Sequence, residues 1–214
     1  VLTEKHANRV CAITMNPQNG EIYAMVDVPE YNLNEPFKLV KVDEDSTEDE
    51  DSADTGKAVV SAGSELPVMS RMDELNNMWR NYLISDTYEP GSTAKIVTLT
   101  AALEKGAVDS SSSFFCPGYR IVEDRRIRCS KTTGHGSETL EQALMNSCNP
   151  AFMDIGERTG VDGMYEYYHR LGLFDRCGID LPGEANSIMH KKENVGPVEL
   201  ATMSFGQSFQ VTPI

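Results

Sequence analysis

The stretch Tyr88–Leu99, YEPGSTAKIVTL, sets Ser92 and Lys95 three residues apart where a Pro-Gly loop runs into an apolar helix. Residues at that spacing share one helix face. A Ser in the first turn sits among free backbone N–H groups, where the helix dipole favours developing negative charge. A Lys that loses its proton through burial or a nearby positive group can take the proton of that hydroxyl. The plainer reading makes Ser92 a helix cap and Lys95 a solvated side chain. It is the one Ser-x-x-Lys in the chain.

Ile96, Val97, Leu99, Ala102 and Leu103 predict a largely buried helix over 93–105, closed by Gly106. Upstream, NRVCAITMNPQNGEIYAMVDV (8–28) reads as a hairpin about Asn16–Gly20, since Asn-Gly supplies the positive φ of a tight turn. Downstream, residues 107–137 are Ser-rich and then irregular, with strand-like pieces near 120–128. Thr139 and Gln142 form a capping box for a short helix. Pro150 opens a second helix, which Gly160 closes. Further helices are expected near 164–171 and 197–204. Helices with a leading hairpin make an α+β domain.

The 214 residues carry a net charge of -14, and residues 41–54 hold eight acidic side chains against one Lys. A block so charged and so poor in apolar residues cannot build a core. It reads as an insertion running to about residue 75, within a domain spanning 1–214. The charge balance excludes a nucleic-acid partner, whose phosphates need Lys and Arg. No apolar run approaches the ~20 residues of a membrane span, and no signal peptide is visible. A Val start and a Val211–Ile214 end lead us to expect a fragment of a longer protein.

Ser147-Cys148-Asn149, the one Ser-x-Asn present, falls at the break between two helices. There a second hydroxyl and an amide can face one cleft, although Asn149 would also serve as a cap before Pro150. Five cysteines occur, at 11, 116, 129, 148 and 177. Cys11 reads as a small buried apolar residue, and Cys177 gives no signal. Cys116, Cys129, His135 and Cys148 could close a tetrahedral zinc site. Their spacing is not that of a zinc finger, and a disulfide (Cys129–Cys148, for example) or free thiols stand beside that reading. His135 before Gly136 also suits a loop ahead of the Thr139 cap.

YEPGSTAKI followed by HGSETLEQALMNSCNPAF resembles the transpeptidase domain of class B penicillin-binding proteins. NPQNGEIYAMVDVPEYNLN, LGLFDRCGIDLPGEANS and MSFGQSFQVTPI extend the likeness over most of the chain outside the acidic block. The resemblance implies the penicillin-binding protein and serine β-lactamase-like fold, an antiparallel sheet flanked by helices. It implies Ser92 as the acylated nucleophile and Lys95 as its base. Ser147 would relay the proton, and Asn149 would hold the substrate amide. Some elongation- and sporulation-type members carry zinc beside the cleft, which favours zinc at Cys116, Cys129, His135 and Cys148; no organic cofactor is implied.

The function so implied is a peptidoglycan D,D-transpeptidase that joins stem peptides through a serine acyl-enzyme and is acylated by β-lactams. A β-lactam sensor, or a serine β-lactamase or D,D-carboxypeptidase, is the alternative. Implied partners are peptidoglycan stem peptides, a glycan polymerase and, through an anchor elsewhere in the protein, the outer face of the bacterial cell membrane. The family's third motif, Lys-Ser/Thr-Gly, should follow Ser-x-Asn and is absent. Lys131–Gly134, KTTG, precedes Ser147 and has one residue too many, so it reads as a loop. The true motif, with one donor of the oxyanion hole, is expected beyond Ile214. Loss of such a donor costs roughly two to three orders of magnitude in rate, so these residues alone are expected to be inactive.

Overall fold

Alternating β-formers on either side of Asn16–Gly20 pair as β1 (Val10–Met15) and β2 (Ile22–Val28). The hairpin is antiparallel, and Gly20 takes the positive φ, 76°, that its turn requires. The structure is a computed structural model that describes residues 1–2, 4–40 and 70–214. The acidic block at 41–54 therefore lies outside the described residues. The described chain divides into two compact units, Val1–Tyr82 and Leu83–Ile214.

In the first unit, helix α1 (Arg71–Trp79) starts at a full capping box made by Ser70 and Asp73. Residues 71–75, read above as the end of the insertion, thus belong to this helix. The indole N–H of Trp79 donates to the Pro36 carbonyl at 2.7 Å, and the ring packs edge-on against Phe37. Asp27 pairs with Arg9 at 3.3 Å and accepts the Tyr82 N–H at 3.0 Å. A short helix, α2 (Tyr82–Ser85), follows.

The second unit is built on α3 (Lys95–Glu104) and α5 (Asn149–Arg170). A 3-10 turn, Gly91–Ala94, leads into α3, so Ser92 lies on that turn and makes no side-chain cap. The buried face of α3 is Lys95, Thr98, Ala101 and Ala102, while Ile96 (66% exposed) and Leu103 (46%) face outward. Apolar residues surround this helix, so hydropathy alone does not identify its inner face. Small side chains on that face let α5 approach with Phe152, Met153 and Ile155. Full burial of each such side chain stabilises by roughly 1.5–3 kcal/mol. At Gly160 (φ 74°, ψ 164°) the backbone leaves helical geometry, which closes the first helical piece as expected, and α5 resumes across this kink as a second helix to Arg170.

Between α3 and α5 lie four short strands. β3 (Ser113–Cys116) pairs antiparallel with β6 (Gly136–Thr139), and β4 (Tyr119–Val122) with β5 (Arg125–Arg128). The described strands form three two-stranded ladders rather than one sheet. Lys131–Gly134 is a turn between β5 and β6, closed by Gly134 N–H to the Lys131 carbonyl. The Thr139–Gln142 box caps α4 (Leu140–Met145) as expected. Helix α6 (Pro197–Met203) packs on α5 where Gly156 leaves room for Ser204, whose Oγ would sit 1.7 Å from an added Cβ. Among the described residues no helix is long and apolar enough to cross a membrane.

Candidate active site

The turn that carries Ser92 is fixed from the far end of the chain. Gly91 N–H donates to the Gly206 carbonyl at 2.8 Å, and a Cβ on Gly206 would stand 1.9 Å from the Gly91 oxygen. Only glycine permits that approach at φ 86°. Glu89 accepts the Ser208 N–H, and Tyr88 bridges Val211 in antiparallel pairing. Ser92 is left exposed on this turn.

Beneath it Lys95 is 1% exposed. Its Nζ donates to the Ser147 carbonyl at 2.7 Å and to Asn149 Oδ1 at 2.7 Å, and it lies 2.9 Å from Ser147 Oγ and 3.3 Å from Ser92 Oγ. Ser147 Oγ in turn donates to Ser92 Oγ at 3.0 Å. The two hydroxyls and the amine thus form a closed triangle through which a proton can pass. Burial lowers the Lys95 pKa to about 8, against a partial rise from the Cys129 and Cys148 thiols. An amine so placed can be neutral near physiological pH and accept a proton.

Ser147 holds its place by an uncommon backbone, φ 50°, between the end of α4 and the start of α5. A non-glycine residue there is strained and needs support on both sides. Its N–H donates to the Leu144 carbonyl, and its own carbonyl is taken by Lys95. Asn149 Nδ2 reaches the Arg128 carbonyl at 3.3 Å, tying the loop to the end of β5.

One residue past β5, a second cluster begins. One ligand-type atom from each of Cys116, Cys129, His135 and Cys148 lies within 4.8 Å of all the others. The three cysteines are buried, and Cys129 Sγ stands 3.7 Å from His135 Nδ1. Close backbone contact draws them together: a Cβ on Gly118 would stand 2.1 Å from the Thr132 oxygen, and one on Gly134 2.4 Å from the Cys116 oxygen. Burial pushes the Cys129 thiol up, but N–H groups of Lys131 and Asn149 outweigh it and hold the pKa below the usual thiol value. Burial, and then the Glu138 carboxylate, push the Cys148 thiol up. All five cysteines are free.

Residues 10–214 match the family model described as the penicillin binding protein transpeptidase domain. The chain belongs to that family. Stage V sporulation protein D of Bacillus subtilis is 37% identical over 210 residues, covering 98% of this chain and 27% of that protein. Peptidoglycan D,D-transpeptidase MrdA of Acinetobacter baumannii is 25% identical over 217 residues, covering 96% of this chain and 29% of that one. The chain therefore spans less than a third of the curated relatives it matches. The transpeptidase domain of penicillin-binding protein 3 from Burkholderia pseudomallei superposes with a TM-score of 0.71 at 20% identity, over 99% of this chain and 48% of that one. That likeness extends the α+β assignment to the penicillin-binding protein fold.

Within this penicillin-binding protein domain, the four residues singled out around Ser92 meet in one hydrogen-bonded group, and the four cysteine and histidine residues meet in another. Sequence reading passed over Glu138, Gly91 and Gly206. Glu138 lies one residue before the Thr139 cap and reads there as an ordinary polar residue ahead of a helix. The pairing of Gly91 with Gly206 has no local signal at all.

Proposed function

We propose that this chain carries the serine centre of a peptidoglycan D,D-transpeptidase, interrupted by the acidic insertion that begins near residue 41. Ser92 Oγ attacks the penultimate D-Ala carbonyl of a stem peptide while Lys95 Nζ takes its proton. Ser147 Oγ, within 3.0 Å of both groups, relays a proton to the departing D-Ala amine. An amine from a second stem then attacks the ester and restores Ser92. A covalent intermediate divides one hard step into two easier ones. Asn149 Nδ2, which donates one hydrogen to the Arg128 carbonyl, would hold the substrate amide with its second. A β-lactam acylates Ser92 as a mimic of the D-Ala-D-Ala bond. The reaction belongs outside the cytoplasm, where peptidoglycan lies, with an anchor and a glycan-polymerase partner supplied through the rest of the protein.

The observation that carries this reading is Lys95, buried and poised near neutrality within reach of two serine hydroxyls. Benzylpenicillin on the full-length protein, followed by intact mass and peptide mapping, tests it. A stable adduct on Ser92 that Ser92→Ala abolishes is expected. No adduct on the folded protein would reject it, and rapid turnover of the drug would mark a β-lactamase.

We further propose that Cys116, Cys129, His135 and Cys148 hold zinc. Three thiols and an imidazole suit that ion, and the N–H groups aimed at Cys129 suit a metal-bound thiolate. The ion would supply structural support. The residues themselves join β3, the end of β5 and the Ser147 loop, so the centre fixes the relay hydroxyl.

A further inference from the structure

Glu138 occupies a position where a strand of this kind places an apolar side chain. On β6 it points inward, directly opposite Phe114 of β3 and on the same buried face as Cys116. Its side chain is 2% exposed. One oxygen, Oε1, accepts from Asn146 Nδ2 at 2.7 Å. The other, Oε2, is buried with no hydrogen-bond partner. Its neighbour is His135, whose Nδ1 lies 3.8 Å away, and the Cys148 thiol rests against the same carboxylate. Both neighbours belong to the Cys3His cluster.

A carboxylate buried with an idle oxygen is costly, because water that would satisfy it has been removed and no fixed positive charge replaces it. Here the idle oxygen lies 3.8 Å from His135, and the carboxylate adjoins Cys148, two members of a cluster that favours a cation. We infer that Glu138 is a constituent of the metal centre, its free oxygen supplying the negative charge that holds the cation against His135 and Cys148. The inference rests on the reading that the cluster binds zinc. Through Oε1 and Asn146 the same carboxylate reaches the residue before Ser147. The centre thereby grips the loop twice, at Cys148 directly and at Asn146 through Glu138.

Glu138→Gln tests this with little change in shape, because the amide oxygen can still accept from Asn146. Zinc affinity is measured on the full-length protein by competition with a chromophoric chelator, and thermal midpoints are read with and without zinc. Supporting carboxylates of metal sites are typically worth 10–100-fold in metal affinity. E138Q should weaken zinc binding by about that factor. It should also lower the zinc-loaded midpoint while leaving the zinc-free midpoint equal or higher, since an unpaired buried charge has gone. A purely structural role would lower both midpoints together. Should E138Q fail to fold, Glu138→Asp keeps the charge and must retain more zinc affinity than Glu138→Ala. Unchanged zinc affinity in E138Q overturns the assignment alone. Failure of the wild-type protein to take up zinc overturns it together with the metal reading.

Discussion

Lys95 Nζ lies 2.7 Å from the main-chain oxygen of Ser147, so the amine is anchored to the backbone of the loop whose hydroxyl it must serve. With a second anchor at Asn149 Oδ1, the amine retains freedom to exchange a proton only toward Ser92 and Ser147 Oγ. Burial, which depresses its pKa to about 8, means that the charged form dominates below that value. Acylation by benzylpenicillin should therefore rise with pH and level off above about 8. The sign for stability is the same. The unfolded chain binds more protons at this Lys between about 8 and the ordinary lysine value of 10.5, so folding stability gains with pH across that window. Stopped-flow acylation from pH 6 to 10 reads the first effect; a flat profile would remove Lys95 from the role of base. Lys95→Met should slow acylation by roughly 10²–10⁴-fold.

Ser147 separates chemistry from strain. Ser147→Ala removes the hydroxyl and keeps the φ 50° backbone, whereas Ser147→Gly removes the hydroxyl and relieves that backbone. Both should lose acylation to a similar degree. The Gly variant should be the more stable by about 1 kcal/mol, read by denaturant titration. An Ala variant as stable as Gly would mean that the loop carries no strain.

Gly206→Ala would drive a Cβ to 1.9 Å from the Gly91 oxygen at a positive φ. It should destabilise the protein by about 2–4 kcal/mol and slow acylation, because the turn bearing Ser92 must shift. Thermal unfolding and penicillin binding measured together check it. A stable variant that acylates normally would show that the approach is dispensable.

Gly156→Ala places its Cβ 1.7 Å from Ser204 Oγ and 2.7 Å from Ser204 Cβ. Removing the hydroxyl with Ser204→Ala should recover part of the loss, giving a coupling energy of roughly 0.5–3 kcal/mol in a double-mutant cycle. Additive effects would place the clash elsewhere.

Chelation should expose the buried thiols. With zinc bound, iodoacetamide is expected to reach the exposed Cys177 and to spare Cys116, Cys129 and Cys148. After chelation those three should become alkylated, the thermal midpoint should fall, and acylation should slow as the Ser147 loop loosens. Equal labelling in both states would argue against a metal.

The hairpin, the Thr139 cap, the opening of α5 at Pro150 and both candidate site clusters were legible in the sequence, because each rests on local chemistry: an Asn-Gly turn, a capping box, a short motif. The inner face of α3 was not. Its buried stripe is Lys95-Thr98-Ala101-Ala102, which is less apolar than the outer Ile96 and Leu103. The β3–β6 ladder was missed because its strands are four residues long and one is Gly-Ser-Glu-Thr, a poor match to strand propensity. Its pairing comes from Cys116 and Phe114 seeking the core. Glu138 hid for a related reason: period-two alternation predicts which side of a strand faces inward, not that a carboxylate will occupy it.

The clamp on the Ser92 turn has a consequence for the newborn chain. Ser208 supports Glu89 across 119 positions of sequence, and Gly206 reaches Gly91 over a similar span. Contacts this distant form late, since the intervening loop must close first. A ribosome that has delivered the STAK stretch has therefore not yet delivered its support. The serine would acquire a fixed geometry only when translation has passed Gly206 and that stretch has left the exit tunnel, so reactivity is withheld at least until then.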